Sequence, residues 1–307
     1  MRFCQAFISE LFRHVGSDTD VPAGDIGVGG REVAFMAGMY KKLANRADCV
    51  FTGKGLAFGG SLIRPEATGF GTVYFAQEML KTRGKSFDGL TVSVSGSGNV
   101  AQFAIDKAMA LGAKVVSASD SSGTIYDAAG FDGDKLVKLM DIKNKQYGRV
   151  SDYAKQVPGV EYYEGKTPWF IKADVALPCA TQNDVNLEEA KKIVANGIKY
   201  YIEVANMPTT NEALTYLRKQ KNMIVAPSKA VNAGGVSVSG LEMSQNSERL
   251  SWTEEEVDQK LHQIMKNIHD ASVAAAEEFG LGYNLVAGAN IAGFKKVADA
   301  MMAHGIV

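Results

Sequence analysis

Apolar positions along this chain fall into short continuous runs that alternate with stretches of helical spacing. Residues 90 to 95 (LTVSVS) predict a buried strand, 99 to 111 (NVAQFAIDKAMAL) a helix, and 114 to 119 (KVVSAS) a second strand, so these segments form one βαβ unit. Further short strands are predicted at 174 to 177 (DVAL), 199 to 205 (KYYIEVA) and 222 to 226 (NMIVA), with helices over 187 to 195 and 209 to 220 between them. Strands alternating with helices imply an α/β fold built on a parallel, doubly wound sheet with right-handed crossovers.

The C-terminal third opens on Ser251-Trp252-Thr253-Glu254-Glu255-Glu256, where Thr253 can cap a helix and Glu256 can reach back to it. Val257, Leu261, Ile264, Met265 and Ile268 then mark the apolar face of a long helix running to about Phe279, and residues 291 to 303 predict a last helix after the turn at Gly280 to Gly282. At the other end Phe3, Phe7, Ile8, Leu11, Phe12 and Val15 also have helical spacing, but no Ser, Thr, Asp or Asn precedes them as a cap. Two readings stand: a frayed first helix, or a chain that lacks an upstream segment.

Composition narrows the class. A length of 307 residues leaves room for about two domains, and 46% hydrophobic with 22% charged residues is ordinary for a globular protein. Basic and acidic side chains nearly cancel, to a net charge of -1, so no cationic surplus favours nucleic acid or an anionic membrane. Cys4, Cys49 and Cys179 are odd in number and far apart, which suggests neither a disulfide framework nor a zinc site. His14, His262, His269 and His304 form no metal-like grouping either, so no metal is expected. With no apolar window of transmembrane length and charged residues near the N-terminus, the expected location is the cytoplasm.

Candidate chemistry concentrates in glycine-rich loops. Gly96-Ser97-Gly98-Asn99-Val100-Ala101 has the form GxGxxA, follows the strand at 90 to 95 and opens the helix at 99. Such a turn brings backbone and a helix N-terminus up to a dinucleotide pyrophosphate. A lone motif of this kind is weak, but the strand before it, the helix and strand after it, and the acid Asp120 all agree. Asp120 at a strand end suits the ribose 2'-OH of NAD, whereas Ser121, Ser122 and Gly123 with Lys143 and Arg149 downstream suit the 2'-phosphate of NADP; these residues leave both open. Asp25 sits in DVPAGDIGVGGRE, just before a helix predicted to start at Arg31, and a buried Asp there could carry protons if its pKa were raised. An Asx turn is the plainer reading of a loop Asp. FTGKGLAFGGSLIRPEATGFG (51 to 71) and KAVNAGGVSVSGLEM (229 to 243) supply two more polar, glycine-lined loops.

Taken in order, PAGDIGVGGRE, TGKG, GGSLIRPEATGFG, VSGSGNVA, ALPCATQN, ANMPTT and NAGGVSVSGLEM resemble the signatures of the hexameric NADP-dependent glutamate dehydrogenases over essentially the whole chain. The turn from Ser119 to Gly123 is similar to that of NADP-using members. The resemblance implies reversible, NADP-dependent oxidative deamination of L-glutamate to 2-oxoglutarate and ammonia, in ammonia assimilation, by a homo-oligomer. It also implies roles for individual residues. Asp25 would shuttle protons to and from the amino group, Thr52 would lie at the substrate pocket, and Val236 and Ser239 would contact the glutamate side-chain end. Thr68, Asn206 and Asn232 would stand near the nicotinamide half, Gly96, Ser97, Gly98, Asn99 and Val100 at the pyrophosphate, and Asp120, Ser121 and Lys143, with Arg149, near the 2'-phosphate. A branched-chain or aromatic amino acid dehydrogenase of the same superfamily matches less well.

In the same family the residues that hold the substrate carboxylates and the lysine that activates water lie upstream of the segment that here begins MRFCQAF, and Lys54 of TGKG belongs to a different loop. The expectation is therefore a chain without its N-terminal segment: residues 1 to 59 as part of a substrate and oligomerisation domain, 60 to 282 as a Rossmann-like dinucleotide domain, and 283 to 307 as a helix returning to the first. The alternative is a non-catalytic NADP-binding or assembly fragment.

Overall fold

The computed structural model describes residues 1–305, so the end of the 283–307 segment lies outside the described residues. Contacts divide the chain into two compact units, one of Met1–Ala67 with Gly235–Gln263 and the other of Thr68–Gly234 with the chain from Ile264 onward.

The second unit is built on five short parallel strands: β1 (Thr91–Ser95), β2 (Lys114–Val115), β6 (Val175–Pro178), β7 (Tyr200–Ile202) and β8 (Ile224–Ala226), in the order β2-β1-β6-β7-β8. Every residue of β6, β7 and β8 is buried. That is why these strands read as continuous apolar runs rather than as alternation, since both faces of a parallel sheet are covered. Helices α7 (Leu187–Ala195) and α8 (Asn211–Arg218) cover one face through Ala190, Ile193, Ala213 and Leu217, packed with Trp169, Tyr201 and Val225. Helix α4 (Asn99–Ala110) follows β1 and packs on β1 and β2 through its alanines. Helix α3 (Ala67–Lys81) crosses it closely: a Cβ on Gly69 would lie 2.5 Å from the Ala104 nitrogen, so only glycine fits. The strand order reverses beside β1, with β2 on one side and β6 on the other, and in such sheets ligands bind at the carboxyl ends next to this switch point.

The strand predicted over 114 to 119 breaks at Val116. Beyond it β3 (Ser117–Asp120) pairs antiparallel with β4 (Gly123–Tyr126), which pairs with β5 (Glu161–Glu164), giving a second, three-stranded sheet. Serine chemistry accounts for the break. The Ser117 hydroxyl accepts from the Val94 N–H at 2.9 Å and donates to the Val94 carbonyl at 3.1 Å, replacing a backbone ladder to β1 and releasing the Ser117 backbone for β4. Helices α5 (Gly133–Met140) and α6 (Val150–Gln156) follow β4, with a π-helical turn at Asp141–Lys145 between them, and α9 (Ser228–Val231) follows β8.

In the first unit, α1 (Arg2–Leu11) packs on α2 (Gly30–Ala44) through Ile8, Val33, Met36, Ala37 and Tyr40, closed by Val50 and Phe51. Helix α1 has no side-chain cap, while α2 starts at Gly30, where Glu32 accepts from the Gly29 N–H at 3.0 Å. Helix α10 (Gly234–Glu248) contributes its length from Gly235 to this unit. Helix α11 (Glu254–Glu278) opens on the expected capping box: Thr253 N–H donates to Glu256 at 2.7 Å and Glu256 N–H to the Thr253 hydroxyl at 3.2 Å.

Helix α12 (Leu285–His304) starts earlier than the predicted 291, because the Asn284 side chain caps it at Ala287 N–H (3.1 Å). The division by packing also differs from the one read along the sequence. Leu285 is buried, Val286 joins the cluster on the sheet, and a Cβ on Gly288 would meet the Ser272 carbonyl at 1.8 Å, so α12 belongs to the second unit rather than the first. Residues 235 to 263 go to the first unit instead, tied there by Glu242 and Gln245. Among the described residues no helix is long and apolar enough to cross a membrane.

Candidate active site

In the second unit the chain leaves β1 through Ser95 and turns at Gly96, whose φ of +89° favours glycine. A Cβ there would lie 2.9 Å from the Cys179 carbonyl just past β6, so the tight turn sits at the switch point. Its N–H donates to the Ser119 hydroxyl at 2.9 Å. The Ser97 carbonyl accepts from Gln102 at 2.8 Å, and Gln102 is held by Asn144, so the turn is braced from behind. Gly98 and Asn99, at the start of α4, are exposed, Val100 is half-buried, and no atom lies within 4 Å of a Cβ placed on Gly98. The GxGxxA reading would place an anion at this helix N-terminus.

Asp120 closes β3 with every face of its carboxylate engaged. Oδ1 accepts from the Ser122 N–H at 2.9 Å and hydroxyl at 2.6 Å, while Oδ2 accepts from Lys143 at 3.0 Å and from the Val150 N–H at 2.9 Å. Burial pushes its pKa up, but these bonds outweigh that and hold it below the ordinary carboxylate value. Arg149 donates to the Ser121 hydroxyl at 2.7 Å, so Ser121, Lys143 and Arg149 meet at one corner. Asn206 and Asn232 also come together, Asn232 donating to Asn206 at 2.8 Å and to the Val204 carbonyl at 3.0 Å. Thr68 stands near the start of α3, its carbonyl accepting from Thr72.

Two acids that sequence reasoning missed line the carboxyl edge of the sheet. Burial raises Asp184 against a hydrogen bond from Ser95, and burial raises Glu203 against bonds from Thr209 and the Ser228 N–H. Burial, and then the charge of Asp184, likewise push the Cys179 thiol up.

In the first unit the Asp25 loop is strapped to the TGKG segment: Thr52 N–H donates to the Pro22 carbonyl at 2.9 Å and Ala23 bridges Thr52. Asp25 itself is exposed rather than buried, so burial is not what would fit it to move protons. Thr52 is buried and donates to Glu242 at 3.1 Å. Ser239, on α10, accepts from Arg64 Nε at 3.0 Å, and Val236 one turn earlier is exposed. Burial lowers the Arg64 pKa, while the charge of Glu242 works the other way. Arg64 and Glu242 were missed too, although both lie inside the glycine-rich loops already singled out, where charged side chains are few. Lys54 is buried in an ion pair with Glu242 at 2.6 Å, so it serves the loop rather than an open pocket.

Residues 59–305 match the family described as glutamate/leucine/phenylalanine/valine dehydrogenase, and residues 1–42 match the dimerisation domain described for Glu/Leu/Phe/Val dehydrogenases. The chain belongs to this dehydrogenase family. It is 61% identical over 307 residues to the NADP-specific glutamate dehydrogenase of Escherichia coli (strain K12), across 100% of this chain and 68% of that protein. It is 60% identical over 308 residues to the NAD-specific glutamate dehydrogenase of Clostridium symbiosum, with the same 100% and 68%. A solved structure of a glutamate dehydrogenase superposes on 100% of this chain and 68% of its own with a TM-score of 0.97 at 59% identity. The Rossmann-like α/β fold and the resemblance read from the motifs both stand. Two dehydrogenase relatives of nearly equal similarity differ in the nicotinamide cofactor of their names, so the cofactor has to be argued from the surroundings of Asp120.

Proposed function

We propose that this chain serves the reversible, NADP-dependent oxidative deamination of L-glutamate to 2-oxoglutarate and ammonia, its second unit holding the cofactor and its first unit part of the substrate. The observation that carries the cofactor assignment is the engagement of Asp120. A carboxylate already accepting from Lys143, Ser122 and the Val150 N–H has no lone pair aimed at a ribose 2'-OH, whereas Ser121, Lys143 and Arg149 beside it match the donors and charge a 2'-phosphate needs. NADP, when bound, supplies the acceptor for the hydride leaving the glutamate Cα.

Other residues complete the reading. The open N-terminus of α4 after Gly98 suits the pyrophosphate, and Asn206 with Asn232 offers amide groups toward the nicotinamide half, with Thr68. Arg64, hydrogen-bonded to Ser239, presents a cation to a substrate carboxylate, and exposed Val236 an apolar wall to the methylenes. The Asp25 carboxylate accepts the amino proton as the imine forms and returns it in the reverse direction. Match to a dimerisation domain over residues 1–42 and the exposed Phe3 and Phe7 of α1 support a homo-oligomer, a hexamer as the motifs imply. Three unpaired cysteines suit a reducing cytoplasm.

Dissociation constants for NADPH and NADH test the cofactor: NADPH should bind at least about tenfold tighter, as a charge-assisted contact of about 1.5 kcal/mol or more gives. Equal or tighter NADH binding overturns it. Turnover of glutamate with NADP supports the enzymatic reading, and its absence despite tight NADPH binding leaves a cofactor-binding or assembly role.

A further inference from the structure

We propose that Glu242 is a positioning residue of the glutamate half, registering the TGKG loop on helix α10 and cancelling the charge of Lys54 so that Arg64 alone faces a substrate carboxylate. The inference rests on the glutamate dehydrogenase reading above. Glu242 lies one helical turn past Ser239 and is fully buried. Four donors from three successive residues converge on it: Thr52 Oγ1 at 3.1 Å and Gly53 N–H at 2.9 Å on Oε2, and Lys54 N–H at 3.4 Å and Nζ at 2.6 Å on Oε1.

Lys54 is equally enclosed. Its ammonium donates to the Phe51 carbonyl at 2.5 Å and to Asn246 at 2.9 Å besides Glu242, which fills all three of its N–H groups. Phe51 and Gly53 both have positive φ, +80° and +81°, so the loop is wound into a shape that a non-glycine residue such as Phe51 rarely adopts and that surrounding bonds must hold. Stability alone does not call for this arrangement. A buried ion pair loses hydration on both charges, and apolar side chains of similar volume often hold a fold as well.

What the carboxylate does that apolar groups cannot is fix the Thr52–Lys54 backbone to the helix that also carries Val236 and Ser239. Those three candidate substrate contacts then keep one register. The charge pattern points the same way. Glu242 is the direct partner of Lys54, while Arg64 feels it only at a distance and has no carboxylate in ion-pair contact among the described residues. One unmatched cation therefore remains beside the Ser239 hydroxyl, the count suited to a single carboxylate.

Binding of 2-oxoglutarate in the presence of NADPH, measured on the whole chain, tests the proposal with Glu242→Gln and with the double variant Lys54→Met, Glu242→Met, which leaves no lone buried charge. Either folded variant should bind 2-oxoglutarate at least tenfold more weakly and prefer it less over the monocarboxylate 2-oxopentanoate, with the NADPH dissociation constant within twofold of the unsubstituted chain. A folded variant that keeps both the affinity and the preference overturns the proposal. Failure of both variants to fold assigns the pair to stability and overturns it as well. A wild-type chain that binds NADPH but no 2-oxoglutarate sinks the glutamate reading itself and takes the inference with it, an outcome distinct from an unaffected variant.

Discussion

Arg149 is the residue at which cofactor choice can be read most cleanly. It is exposed and tied only to Ser121 by its guanidinium, so truncating it removes a cation from the corner without stripping Asp120 of a partner. Lys143 differs, because it is the ion-pair partner of Asp120 at 3.0 Å, and its loss would leave a mostly buried carboxylate short of a donor. Arg149→Ala should therefore weaken NADPH binding by about tenfold to a hundredfold, the worth of a charge-assisted bond of roughly 1.5–3 kcal/mol. NADH binding should stay unchanged, since NADH carries no 2'-phosphate. Titration of each cofactor against the variant checks this, and a parallel loss for NADH would place Arg149 at the diphosphate or in the fold instead. Lys143→Ala should show the same selectivity together with a lower melting temperature, which separates recognition from support at adjacent positions.

Among elements, the crossing of α11 and α12 depends on the absence of one side chain. A Cβ on Gly288 would lie 1.8 Å from the Ser272 carbonyl oxygen and 2.7 Å from its carbon, both backbone atoms that cannot swing aside. Gly288→Ala should destabilise the second unit by about 1–3 kcal/mol, the usual range for overpacking, seen as a lower urea midpoint. An unchanged midpoint would mean that α12 shifts freely on α11. This contact also shows what the sequence could carry. The βαβ unit from Thr91 to Val115 and the Thr253–Glu256 box were legible because each is made by residues near one another in the chain. Gly288 was not, since its neighbour Ser272 is on another helix. The three-stranded sheet was also missed: β4 has four residues, and β5, Glu161–Glu164, has exposed acids at both ends and no alternation. For the candidate site the same rule holds. The Gly96 turn announces itself within six residues of sequence, whereas Arg64–Ser239 and Thr52–Glu242 join positions far apart in the chain and appear only once it is folded.

At the scale of the whole molecule, a net charge of -1 gives little self-repulsion to oppose association. Apolar surface is exposed where association could use it. On α1, Phe3 is 82% and Phe7 47% exposed, their rings stacked at 6.4 Å, and the partner face of the same helix is already buried through Ile8 against α2. Two aromatic side chains side by side in water are a poor arrangement for a lone molecule and a common one at an interface core. If the homo-oligomer proposed above is built through α1, replacing both rings with serine should leave the helix in place, since Ile8 and not these rings anchors it. The variant Phe3→Ser, Phe7→Ser should then have a lower mass by light scattering or sedimentation than the unsubstituted chain at the same concentration. Its NADPH affinity should be unchanged, because the Gly96 turn and the Asp120 corner are made by other residues. An unsubstituted chain that is monomeric at micromolar concentration would overturn the oligomer, and a variant of undiminished mass would move the interface away from α1, to a face such as that of Phe294, Val297 and Met301 on α12, each also more than half exposed.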